Sequence, residues 1–301
     1  MPAKIIAFTT PPDAPGWQRW LVLSPVARIV LFAAMLIGFG LLVHVVTGML
    51  GWTAKSTSPL QHALATLSVQ LLPALAGYLI LVRLIERRRV DELAPADIPA
   101  LGTAGLMGGA VLFSLVVAVL WLVGSYHVTG TNPHVDWLPA VLVAGIGAGI
   151  GEEIVVRGVL FRIVEEGLGS WWALAISALF FGAAHLANPA ATLWSSAAIA
   201  ISAGVLLALV YAVTRSLWAC VGLHAAWNIM QGTVYGIPVS GTKANGWLVS
   251  YRTGPDWLGG GEFGAEASVV ALALGLIVSS ILLLVALQRH SLVPPAWRRS
   301  P

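Results

Sequence analysis

Two adjacent carboxylates, Glu152 and Glu153, stand in the middle of a long apolar run of this chain. An ionisable side chain at membrane depth costs at least about 2.5 to 3.5 kcal/mol on insertion scales, so it persists only where a cavity or a partner receives it. Arg157 follows Glu153 by four residues, the spacing that places side chains on one helical face, and Glu before Arg is the favourable order. Glu153 and Arg157 therefore neutralise each other. Glu152 is rotated by about 100° from Glu153 by the helical period and keeps no intrahelical partner. Such a carboxylate is suited to act as general base toward a water attacking an amide carbon.

Other polar residues fall within reach. Glu152 stands sixteen residues before the turn at Leu168 and His185 seventeen after it, so the two lie at nearly equal depth on neighbouring helices. Phe181 is one turn before His185 on the same face, and His224 and Asn228, four apart on a later run, point the same way. In this arrangement His185 holds the water or passes on a proton. His224 and Asn228 offer donors to the oxygen that gains negative charge, in a low dielectric that strengthens each hydrogen bond. Each feature also has a plain structural reading: an ion pair tying helices, a histidine on a carbonyl, an asparagine as interhelical glue. Convergence of four such residues at one place favours a site. His44, His62, His127, His134 and His290 acquire no role.

Other hydrolytic and nucleotide chemistries lack their residues. The chain has no His-Glu pair to begin a His-Glu-x-x-His metal motif, no Gly-x-Ser turn, no Asp inside a span and no Gly-Lys pair to cradle phosphate. Its single cysteine, Cys220, excludes an intramolecular disulfide framework and a thiolate-cage metal site.

The elements that must position these residues are membrane helices. Of 301 residues 58% are hydrophobic and 10% charged, against about 25% charged in a soluble domain, and the mean hydropathy is +0.86. The expected fold is all-α: a polytopic bundle of about eight transmembrane helices over residues 28–287. The apolar runs are about 28–50, 62–85, 102–124, 138–161, 171–187, 192–213, 217–234 and 265–287. Residues 1–27 and 288–301 form flanking segments, and the Gly-rich stretch 235–264 reads as an extramembrane cap. With eight alternating spans, Lys4, Arg19, Arg28, Arg83, Arg87, Arg88, Arg89, Arg157, Arg162, Arg215, Arg289, Arg298 and Arg299 share one side, and Lys55, Lys243 and Arg252 share the other. The positive-inside rule then places both termini in the cytoplasm. The expected location is a bacterial-type cytoplasmic (inner) membrane. No basic patch with interleaved aromatics points to nucleic acid.

Glu152-Glu153-x-x-x-Arg157, Phe181-x-x-x-His185 and His224-x-x-x-Asn228 resemble, in order and spacing, the three motifs of the CAAX prenyl protease and bacteriocin-processing family (CPBP, also called Abi), which includes the Ras-converting enzyme of eukaryotes. The resemblance covers 138–234, a third of the chain. It implies an intramembrane endopeptidase acting on a membrane-associated peptide or lipidated peptide amid membrane lipid. Glu152 would be the base, His185 its assistant, His224 and Asn228 the oxyanion site, with Glu153, Arg157 and Phe181 in support. The preferred mechanism needs no cofactor; the alternative is a zinc enzyme with Glu152, His185 and His224 as ligands. A transporter or a catalytically idle immunity protein is the non-enzymatic alternative. One geometric tension accompanies the site. Glu152 lies about 24 Å along its helix from the Leu168 turn and His224 only about 13 Å along from Arg215. The two meet only if the hairpin tip, with Arg162, Glu165, Glu166 and Trp171, protrudes.

Overall fold

The computed structural model describes residues 6–299, so Lys4 lies outside the described residues. Among the described residues, seven helices are long and apolar enough to cross a membrane: α1 Pro25–Met49, α2 Pro59–Ile85, α3 Pro95–Leu122, α4 Trp137–Leu168, α5 Ser170–Ala187, α6 Leu193–Thr214 and, last of these, α8 Val269–Gln288. Between α6 and α8 runs α7, residues 217–234, formed by Leu217–Asn228 continuing into Ile229–Val234. Its polarity follows from its place. α7 is central, with Ala219, Cys220, His224 and Asn228 all buried, and so meets protein more than lipid.

The helices start where their caps stand. Ser24 accepts from the Ala27 amide ahead of Pro25, Ser58 and Gln61 form a capping box ahead of Pro59, and Ser268 accepts from the Ala271 amide. α4 continues seven residues beyond its apolar run and stops at Gly169, whose φ of +82° only glycine adopts freely. Two stretches of α4, Val141–Gly147 and Ile154–Phe161, have widened i→i+5 turns.

Two close approaches set the bundle around α7. α3 runs beside it in the same direction, where a Cβ on Gly109 would lie 2.2 Å from the Leu223 carbonyl oxygen. α4 presses on α2, where a Cβ on Gly151 would lie 2.5 Å from the Gln70 carbonyl oxygen. Small residues allow such contact between membrane helices, where packing replaces the hydrophobic effect. The main core, with Tyr78, Ile154, Phe161, Tyr211 and Leu217 fully buried, lies between the site and the arginine-rich end.

That end is held by charge. Arg28 Nη1 and Arg162 Nη2 lie 2.6 Å and 2.9 Å from Glu86 Oε1, Arg88 Nε is 2.7 Å from Glu86 Oε2, and Arg215 pairs with Glu165. Burial alone would raise the Glu86 carboxyl, but Arg162, Arg28 and Arg88 outweigh it and hold the group below its ordinary value. Of the hairpin-tip residues, Leu168 and Trp171 are exposed, while the charged ones are packed. Arg162 and Glu165 are each 2% exposed, and the Ser170 amide donates to Val293 O of the C-terminal tail at 2.9 Å. Buried charges demand partners, and Glu86, Glu166 and Arg215 supply them to Arg162 and Glu165.

At the opposite end, strands β1 Tyr126–Thr131 and β2 Leu248–Arg252 pair antiparallel, with an irregularity between Val128 and Gly130. The sequence reading gave these strands no place, because a two-stranded ribbon of mostly exposed residues leaves little hydrophobic alternation.

Candidate active site

A cavity of about 840 Å³ descends from the strand-bearing end to the middle of the bundle, and Glu152, His185, His224 and Asn228 all line it. Glu152 comes from α4, His185 from the last turn of α5, and His224 and Asn228 from α7. The Glu152 side chain is 42% exposed and makes no hydrogen bond to the other described residues. A second pocket of about 310 Å³ shares Glu152 and His185 with it and extends past Phe181 and Leu36 to Phe180, which is partly exposed at the perimeter. The site thus has an aqueous mouth and an apolar side slot.

Beneath Glu152 lies a fixed ion pair. Glu153 Oε1 accepts from Arg157 Nη1 at 2.9 Å, as the four-residue spacing predicts, and both side chains are fully buried. The same oxygen accepts from His224 Nδ1 at 2.9 Å, a contact that joins α4 to α7. His224 Nε2 then faces the cavity, 3.9 Å from Glu152 Oε2. Arg157 Nη2 also donates to the Gly204 carbonyl at 3.1 Å, and its guanidinium lies over the Phe181 ring, 4.8 Å from the centroid. Phe181 meets His185 and His224 with centroid separations of 4.6 Å and 6.0 Å. One aromatic ring thus spaces the cation from two imidazoles.

The hydrogen bonds settle which atoms remain free. The Phe181 carbonyl can only accept, so His185 Nδ1 carries the hydrogen that fills this 2.7 Å contact and Nε2 is left as an acceptor. Asn228 Nδ2 donates to the Ala144 carbonyl at 3.0 Å, which pins the amide against α4 and leaves its second N–H for the cavity. His224, as imidazolium, presents Nε2–H; with that proton, Glu152, Glu153, Arg157 and His224 sum to zero charge. A carboxylate acceptor, an imidazole acceptor and two N–H donors around one polar space can activate a water and receive an oxyanion.

A third acid escaped the sequence reading. Glu266 stands in the turn Ala265–Ala267 that leads into α8, is 7% exposed, and shares a small pocket of about 40 Å³ with His185, His224, Asn228 and Ser240. Its carboxylate accepts from the Ser240 amide. Burial raises the Glu266 carboxyl above its ordinary value, with His185, His224 and the Ser240 bond pulling the other way. By position it is only an acid at the edge of an apolar run. Nothing in its spacing relates it to α5 or α7.

Among the described residues, no three His, Cys, Asp or Glu side chains come together in a metal-binding group. Glu152, His185 and His224 line one cavity without forming such a group. Residues 134–230 match the family described as Rce1-like, type II CAAX prenyl endopeptidase Rce1-like. The chain carries an Rce1-like domain. No curated protein and no solved structure matches the chain. The Rce1-like domain runs from just before α4 into α7, and so supplies Glu152, His185, His224 and Asn228 together with Glu153, Arg157 and Phe181. The α2 wall of the cavity and Glu266 lie outside it.

Proposed function

We propose that the protein is an intramembrane endopeptidase of the CAAX type that hydrolyses peptide bonds of membrane-associated substrates with a water activated by Glu152. The observation that carries this reading is that Glu152, free of hydrogen bonds, faces His224 Nε2 at 3.9 Å in a cavity also lined by His185 and Asn228. Glu152 takes a proton from the water, while His185 Nε2 accepts the water's other hydrogen and orients it. The water oxygen bonds to the carbonyl carbon, and the carbonyl electron pair moves to oxygen, where His224 Nε2–H and Asn228 Nδ2–H meet it. As the C–N bond breaks, Glu152 returns its proton to the leaving amine. The donors are held by Glu153 and by the Ala144 carbonyl before substrate arrives, so no reorganisation is needed at the moment of attack.

The test is cleavage of a lipid-anchored fluorogenic peptide, prenylated or acylated, by protein purified in detergent, with Glu152→Ala and His185→Ala as controls. Loss of cleavage in both, with unchanged gel-filtration profiles, supports the reading; cleavage of a verified substrate that persists in both overturns it. Cleavage is expected to survive exhaustive chelation. Inactivation by chelator with rescue by Zn²⁺ would select the zinc-dependent alternative. Proteomic comparison of membranes holding the active protein or Glu152→Ala then identifies the natural substrate.

A further inference from the structure

We infer that the site receives its peptide from the extracytoplasmic side of the membrane, so that its substrates are membrane-anchored polypeptides with the scissile segment entering from that side. The inference rests on the protease reading of the site, and it comes from where the cavity opens relative to the basic residues. Its mouth is formed by Thr53 and Lys55 between α1 and α2, Asp136 ahead of α4, Asn188 after α5, and Lys243 in the cap. All of these lie at the helix ends opposite Arg28, Arg87, Arg88, Arg89, Arg215 and Arg289. Lys/Arg excess in short loops marks the cytoplasmic side, and the rule counts basic residues rather than net charge, so the acids paired with them do not cancel it. Arg157, counted on that side in the sequence, is fully buried in the site and leaves the asymmetry standing without it.

The cytoplasmic route is closed. Between the site and the arginine-rich end stand Ile154, Phe161, Tyr211 and Leu217, all 2% exposed or less, and below them the network of Glu86, Arg28 and Arg162. A peptide entering there would have to part a packed core and a buried ion cluster. From the other end the path to Glu152 is already open, and the apolar slot past Leu36 and Phe180 gives an anchor a way in from the lipid.

Cysteine accessibility tests the side directly. Cys220 is buried, and Cys220→Ala gives a background without thiols. Lys55→Cys and Lys243→Cys stand at the mouth, Thr66→Cys within the cavity, and Arg89→Cys, 94% exposed in its side chain, marks the opposite end. A membrane-impermeant trimethylammonium methanethiosulfonate, added to intact cells, is expected to modify the first three fully, and Arg89→Cys only after the membrane is opened. The reverse pattern overturns the inference, as does modification of all four in intact cells. So does a Thr66→Cys that reacts only after opening while Lys55→Cys reacts before. Labelling does not depend on catalysis, so its failure is distinct from cleavage that persists in Glu152→Ala.

Discussion

His224 Nδ1 lies 2.9 Å from Glu153 Oε1, so the second carboxylate of the Glu-Glu pair acts on the site through an imidazole of another helix. It fixes which ring nitrogen faces the cavity and balances the charge of the imidazolium. Glu153→Gln is expected to lower kcat by about 10²- to 10³-fold, the scale of losing one oxyanion donor, with little change in KM. Its pH–rate profile should shift as well, because the imidazolium loses its counter-ion. An unchanged profile would leave Glu153 a purely structural role.

Glu152 separates chemistry from stability. Its side chain is open to the cavity and holds nothing in place, so Glu152→Gln should lose about 10²- to 10⁴-fold in rate while the unfolding temperature in detergent stays at the wild-type value. A large fall in that temperature would contradict the cavity-facing placement.

Arg157 behaves in the opposite way. Arg157→Met leaves Glu153 charged, buried and short of its partner, at a cost of about 3 to 5 kcal/mol. The double variant Glu153→Gln with Arg157→Met should recover part of that loss, since neither charge is then stranded. Denaturation of single and double variants measures the coupling.

Stability should respond to pH at the two ends of the bundle with opposite signs. The folded Glu86 carboxyl sits below its ordinary value of 4.5, so its contribution is complete above that pH and is lost as pH falls through the folded value. The folded Glu266 carboxyl sits above 4.5, so its contribution is present below that pH and is lost as pH rises through the folded value. Glu266→Gln, which mimics the protonated acid, should flatten the decline on the alkaline side and leave the acid limb unchanged. Unfolding temperatures from pH 3 to 9 check both limbs; an acid limb absent in wild type would contradict the Glu86 assignment.

Much of this arrangement is legible along the chain because membrane depth makes polarity expensive. Against runs of Leu, Val and Ala, the pair Glu152-Glu153 and the four-residue spacings to Arg157, His185 and Asn228 stand out, since a single helix fixes which of its own side chains share a face. Ser24, Ser58 and Ser268 likewise mark helix starts by local chemistry alone. What stayed hidden involves partners on other elements. The sequence paired Glu153 with Arg157 and had no means to add His224, seventy-one residues away.

The ion network shows the same limit: Arg162 and Glu165 read as residues of an exposed turn until Arg28, Glu86 and Arg215 are brought against them. Glu266 becomes part of the histidine pocket only because the cap folds back before α8. Sequence by itself determined that the chain is a membrane bundle, which residues share each helical face, and which side carries the basic charge. These follow from hydropathy and a helical period that act over a few turns. Tertiary structure alone decided the bridging role of Glu153, the buried acid at Glu266 and the end at which the cavity opens, because those depend on close approach between helices that glycine and charge pairing fix only once the bundle is packed.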